Sequence, residues 1–214
     1  MVIEKSLPHQ DPMIKFLLTI FSIFFYTSLY PTDFDTFSNI VRKMKTVKGD
    51  FQQVVLDSKG DTIQEVSGEF YFKKPNMFRW NYKEPFKNEI ISDGDLLYLF
   101  DPDLRQVIVS SLRKLGGVSP AMLIVSEKAR EFFIIDQLEN KESKLFKAIP
   151  KNLDKTNFKS VLIKFKKNIL KEMQVIDNFN HTTTIKFNNI KNNMDINNAF
   201  FLFNTPDNVD VIKN

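Results

Sequence analysis

The chain has 214 residues, 43% hydrophobic and 26% charged, proportions that exclude disorder as its main description and leave room for one large domain or two small ones. With no cysteine it lacks disulfides, a thiol nucleophile, a cysteine-bound metal or cluster, and a lipid anchor on an N-terminal cysteine; with only His9 and His181, a histidine-based metal site or triad has at most one candidate residue. The formal charge of +4 comes from 25 lysines against 5 arginines, scattered along the chain, so the forks that read bases or clamp phosphates are scarce and no nucleic-acid partner is expected.

From Met13 the sequence has a basic start at Lys15, an apolar run over 16–26 broken only by Thr19 and Ser22, and a polar exit before Pro31. This pattern predicts a secretory signal peptide over 1–30, too short to span a bilayer as a stable helix, with Met13 as an alternative initiator after a twelve-residue extension. Ser28 and Tyr30 make a poor cleavage site, and an uncleaved anchor is the competing reading. The remainder, 31–214, is expected to be one exported, soluble domain.

Asp33 is placed to cap a helix whose apolar residues Phe34, Phe37, Val41 and Met44 recur at three- and four-residue steps, with Arg42, Lys43 and Lys45 on the other face. The period then changes to two, predicting strands near 50–57, 63–74, 77–83, 88–92, 95–100 and 105–110. Between them stand turn sequences: Asp57-Ser58-Lys59-Gly60, Lys74-Pro75-Asn76, Ser92-Asp93-Gly94-Asp95 and Asp101-Pro102-Asp103. Such short connections make an antiparallel sheet.

Ser119 before Pro120 predicts the start of a short, very apolar helix through Met122, Leu123 and Ile124, followed by a second over 127–131. Strand patterns resume near 132–138, 145–150, 158–167, 169–177 and 181–188, with a hairpin at Lys167-Asn168, and an apolar patch over 199–203 precedes Pro206 and a polar tail. No repeat or linker divides 31–214, so the fold class is α+β, dominated by a large antiparallel sheet.

Alternation puts Phe70 and Phe72 on one face of their strand, Phe78, Trp80 and Tyr82 on one face of the next, and Phe51 with Gln53 and Val55 on a third. A plain core is one reading of this aromatic stripe. Against it, three short helices are too little cover for the concave face of about ten strands, and surplus apolar surface implies a cavity, partner or ligand.

Phe51-x-Gln53-x-Val55, the run Gly68-Glu69-Phe70-Tyr71-Phe72-Lys73-Lys74-Pro75-Asn76-Met77-Phe78-Arg79-Trp80, Pro85, Ile91-Ser92-Asp93-Gly94, Leu97-Tyr98, Asp101-Pro102, Ser119-Pro120-x-Met122-Leu123 and Phe201-x-Phe203-x-x-Pro206-x-x-Val209 resemble, in order and spacing, the periplasmic outer-membrane lipoprotein carrier family, LolA. No single piece is specific; their succession over about 35–210 is. The resemblance implies an incomplete, half β-barrel whose apolar concavity is lidded by short helices and carries the acyl chains of lipoproteins through the periplasm. It also implies an inner-membrane lipoprotein-releasing ABC transporter (LolCDE) as donor and an outer-membrane receptor (LolB) as acceptor. That receptor shares the fold but is anchored through an N-terminal cysteine, so a chain without cysteine reads as the carrier, expected to act as a monomer without cofactor or metal.

On this reading Phe51, Phe70, Phe72, Phe78, Trp80, Tyr82, Leu97 and Leu99 line the acyl cavity, Met122, Leu123 and Ile124 form the lid, and each has plain core as its alternative. Lys74 departs from the family, which has arginine there to hold the lid closed by hydrogen bonds. A lysine latch would have three donors without a planar fork, and the alternative is a strand-end lysine reaching solvent. A binder of small lipids or fatty acids uses the same cavity. A sensor domain of the same fold, of the RseB type, would carry a second domain for which no residues remain. Enzyme chemistry is not expected: six glycines include no phosphate-binding loop, and His181, read as an exposed strand residue, has no paired nucleophile.

Overall fold

The computed structural model describes residues 31–112, 120–126 and 129–213. Contacts divide the chain into two units, 1–32 and Asp33–Asn214, and all the described helices and strands belong to the second. The expected leader, Ser119, Gly116-Gly117 and Glu127 lie outside the described residues.

Helix α1 (Asp33–Arg42) leads into strands β1 (Thr46–Leu56), β2 (Thr62–Lys73), β3 (Met77–Glu84), β4 (Asn88–Asp93), β5 (Leu96–Asp101) and β6 (Gln106–Ser111). Single-turn helices α2 (Met122–Val125) and α3 (Ala129–Phe132) precede β7 (Phe133–Leu138), β8 (Lys144–Pro150), β9 (Phe158–Lys166), β10 (Ile169–Asp177) and β11 (Thr182–Asn192), and the chain ends on β12 (Asp210–Lys213). All the strands belong to one sheet, ordered β12-β6-β5-β4-β3-β2-β1-β11-β10-β9-β8-β7.

The turn sequences act as their chemistry predicts. Asp57 Oδ1 accepts the backbone N–H groups of Lys59 and Asp61, which hold its carboxyl below its ordinary range, and Gly60 supplies φ 97°. Asp93 Oδ1 accepts from Asp95 and Leu96 beside Gly94 at φ 109°, and Asp101 Oδ1 accepts from Asp103 and Leu104. Lys167 and Asn168 both have positive φ, 52° and 60°, the geometry of a two-residue hairpin that follows the strands' twist.

Two elements depart from expectation. The helix stops at Arg42, so Met44 is buried from the connection beyond it, and the helix itself buries Phe37, Ile40 and Val41. The polar tail pairs with β6 as a short parallel strand, Val211 opposite Val107, whereas every other strand pair among the described residues is antiparallel. One edge of β6 is paired by Leu96–Asp101, so its other edge was open to any segment able to lie along it.

Helix α1 bridges the inner face. The Asp33 carboxylate accepts the N–H of Gln137 on β7, and at the far end the Val41 carbonyl accepts from Lys74, just past β2. These strands lie six places apart in the sheet, about 29 Å if it were flat, while the helix advances about 12 Å between its two anchors. The sheet is therefore curled around α1. Phe37 fills the curl edge-on against Phe146 and Phe165, with ring centroids 5.3 and 6.2 Å away. On the outer face the 3-10 turn Asn198–Phe201 and the residues after it cover β2–β5: Phe200 meets Tyr71, and Phe203 meets Tyr98 and Phe100.

Candidate functional site

Strand register places all eight sequence-selected strand residues on one face. Phe51, Gly68 and Tyr82 form one row across β1–β3; Gly49, Phe70, Trp80, Ile90, Leu99 and Ile108 form the next across β1–β6; Val47, Phe72, Phe78, Ser92, Leu97 and Ser110 form the third. The rows exist because each strand alternates apolar and polar residues in phase with its neighbour, so one face collects the aromatic rings.

Trp80 is the hub. Its ring centroid lies 4.4 Å from that of Phe51, 5.4 Å from Phe70, 6.1 Å from Phe72 and 6.3 Å from Phe187. Phe51 also meets Tyr82 edge-on at 5.4 Å. That contact needs glycine at 68: a Cβ there would stand 1.9 Å from the Asn81 carbonyl oxygen and 2.9 Å from the Phe51 ring. Burial pushes the Tyr82 hydroxyl up, a shift partly offset by the Trp80 indole facing it. The approach falls short of a hydrogen bond, so buried Trp80 Nε1 has no acceptor among the described residues. Phe187, opposite Phe51 on β11, belongs to the cluster although sequence reasoning passed over it; its alternation with Ile185 was the available signal.

Cover is uneven across this face. Phe51, Phe70 and Phe72 are buried in a cluster shared with Phe37, Ile40 and Val41 of α1 and Leu123, Ile124 and Val125 of α2. Farther along the sheet Phe78, Trp80, Tyr82 and Leu97 are half-buried, and Leu99 is 38% exposed. Helix α2 is held by bonds from Leu123 N to the Pro120 carbonyl and from Ile124 N and Val125 N to that of Ala121; the Met122 side chain lies outside the described residues. The apolar face is thus closed at Phe51, Phe70 and Phe72 and only partly covered at Phe78, Trp80, Tyr82, Leu97 and Leu99.

Lys74 is half-buried at the closed end, and its Nζ donates to the Val41 carbonyl at 2.8 Å. The acceptor belongs to the last turn of α1, where the helix dipole is negative and a cation is stabilising. Lys74 N also donates to the Lys45 carbonyl at 3.0 Å, tying the end of β2 to the segment leaving the helix.

His181 is half-buried, just before β11, and lies 2.9 Å by its Nδ1 from Asp177 Oδ2, while Asp177 Oδ1 takes the N–H groups of Phe179 and His181. The pair closes the β10–β11 turn. Among the described residues there is no group of three histidine, aspartate or glutamate side chains that could hold a metal, and no helix long and apolar enough to cross a membrane.

The model of the family described as outer membrane lipoprotein carrier protein LolA matches residues 42–204. A protein of Methylobacillus flagellatus named outer-membrane lipoprotein carrier protein is 34% identical over 173 residues, covering 80% of this chain and 84% of its own; one of the same name from Methylococcus capsulatus is 36% identical over 171 residues, covering 79% and 82%. The solved structure of an uncharacterised conserved protein from Thermus thermophilus has the same fold, with a TM-score of 0.57 over 86% of this chain and all of that one at 10% identity. The family match and these relatives, together covering most of the sequence, show that the chain belongs to the LolA family of outer membrane lipoprotein carrier proteins.

Proposed function

We propose that this chain is a lipoprotein carrier whose inner aromatic face holds the acyl chains of its cargo. The observation that carries this reading is the in-phase row structure of β1–β6, which gathers Phe51, Phe70, Phe72, Phe78, Trp80, Tyr82, Leu97 and Leu99 on one face, closed over the first three and only partly covered over the rest. Three acyl chains of about sixteen carbons, at about 0.8 kcal/mol per buried methylene, would cost on the order of 40 kcal/mol to place in water. Spontaneous release on that scale does not occur, so cargo passes from one apolar site directly to another.

In this reading Met122, Leu123 and Ile124 are the lid, α1 is its brace, and Lys74 is the latch that holds the helix end against β2. Opening breaks the Lys74–Val41 bond and exposes the rings beneath; cargo replaces helices α1 and α2 as their cover. The chain is exported by the leader over 1–30, works in the periplasm, takes lipoproteins from an inner-membrane ABC transporter and delivers them to an outer-membrane receptor. Intact mass spectrometry of the protein purified with its native ligand tests this: a bound triacylated protein is expected, and free fatty acid alone would replace the carrier reading with that of a small-lipid binder.

A further inference from the structure

Trp80 Nε1 is buried and donates to nothing among the described residues, although its ring stands at the centre of the aromatic face. A buried N–H without an acceptor carries the desolvation cost of the group with no bond in return, and folded proteins rarely keep one. The ring itself packs on Phe51, Phe70, Phe72 and Phe187, so its faces are spoken for. Its N–H is turned toward the Tyr82 hydroxyl without reaching it. Burial raises that hydroxyl above its ordinary range, so it keeps its proton and both groups are neutral donors at physiological pH.

The charge of the surroundings selects the acceptor. The rows that cross β1–β6 at Trp80 and on either side of it contain no lysine or arginine. Their one acid, Asp101 at the rim, already accepts the N–H groups of Asp103 and Leu104. A carboxylate or phosphate between Trp80 and Tyr82 would be buried without a counter-ion, at a cost that two neutral donors do not offset. A neutral carbonyl oxygen carries no such cost, and its two lone pairs match the two donors.

We propose that Trp80 Nε1 and the Tyr82 hydroxyl together bind the carbonyl oxygen of an acyl ester, and so fix how deep that chain lies along the aromatic face. The inference rests on the acyl-chain reading above and deepens it, because it names a neutral ester and not a free acid as the chemical class recognised. In the closed empty protein the indole donor is unmatched. A ligand that takes the place of the covering helices brings the missing acceptor, and relief of the desolvation cost adds to its affinity.

Dioctanoylglycerol and its ether analogue dioctylglycerol differ only in their carbonyl oxygens, and the affinity of each is read by displacement of an apolar dye from the whole protein freed of ligand. The ratio of ester to ether affinity is expected to fall about fivefold in Trp80→Phe, the worth of one neutral hydrogen bond. It should fall in Tyr82→Phe as well. Leu99→Ala trims the same row without removing a polar atom and should weaken both lipids alike. Infrared spectra of bound dioctanoylglycerol, isotope-labelled at its carbonyls, should show a stretch lowered by hydrogen bonding in the wild type and restored in Trp80→Phe. An unchanged ratio in both aromatic variants, an unshifted stretch in the wild type, or failure to bind either lipid would overturn the proposal. Tighter binding of octanoate than of methyl octanoate would overturn the neutral ester as its ligand. Transfer of lipoprotein with an unchanged ratio loses this inference alone; the expected ratio in a protein whose native ligand is never a lipoprotein loses the carrier reading alone.

Discussion

Phe78 stands where the aromatic face passes from covered to open: its ring meets Phe72 edge-on at 6.4 Å while its own side chain is half-buried. A glutamate there would point a carboxylate at the acyl chains, and burying it costs several kcal/mol unless it is protonated or reaches water. Phe78→Glu should therefore fold, because its site is partly solvated without cargo, and fail in transfer. Delivery from inner-membrane vesicles at the wild-type rate would remove Phe78 from the cavity. Lys74 tests the latch. A hydrogen bond from a charged donor contributes about 1.5–3 kcal/mol, so Lys74→Leu should loosen the empty closed state, bind an apolar dye more strongly and retain cargo, since closure after release no longer regains the bond. Lys74→Arg should act the other way. Equal transfer and dye binding by all three proteins would leave Lys74 without a latch role. The shared face of these residues was legible in the sequence because alternation is a parity rule, and the parity of one strand carries to the next across a short turn. Which side chains are covered was not: Phe70 and Leu99 share a row, yet only tertiary packing distinguishes the fully buried one from the exposed one.

At the scale of elements, α1 is a brace clamped at both ends with Phe37 as its wedge. Removing that ring, Phe37→Ala, would leave a void between Phe146 and Phe165 and should cost about 3–5 kcal/mol. Equilibrium urea unfolding measures it, and a loss below about 1 kcal/mol would show that the curl of the sheet does not depend on the wedge. The helix was legible from its apolar spacing and the first eleven strands from their period and turns, each within a few residues of its observed ends. The parallel strand β12 was not legible, for a physical reason. Asp210-Val211-Ile212-Lys213 has two apolar residues and no buried face; what fixes it is the open edge of β6, a feature of the sheet and absent from the segment itself.

Most of the buried apolar residues described in the second unit form one continuous cluster, running from Phe133 and Phe146 through α1 to Phe72 and Leu123, while Ile91, Val107 and Phe201 are buried apart from it. Such a core should unfold as a single cooperative transition. Trp80 emission and far-ultraviolet circular dichroism are expected to give coincident urea curves, and an earlier emission change would mean that the cover of α1 and α2 melts while the sheet persists. Cargo that binds only the folded form should raise the thermal midpoint, and the midpoint should go on rising with the logarithm of free cargo concentration after the site is full.

The seam between β1 and β11 has one more consequence, for the order of events during synthesis. Lys45 and Asn193, bonded at one end of that seam, lie 148 residues apart in sequence, and β1 cannot gain its second neighbour until β11 has left the ribosome. Nine of the eleven pairings among the described strands join consecutive strands and can form while synthesis proceeds, but the β1–β11 seam must wait for the second half of the chain, and a sheet closed by so distant a pairing folds on the scale of milliseconds to seconds. The curl of the sheet around α1 therefore cannot be completed before β11 is made, although β1–β6 can pair among themselves earlier.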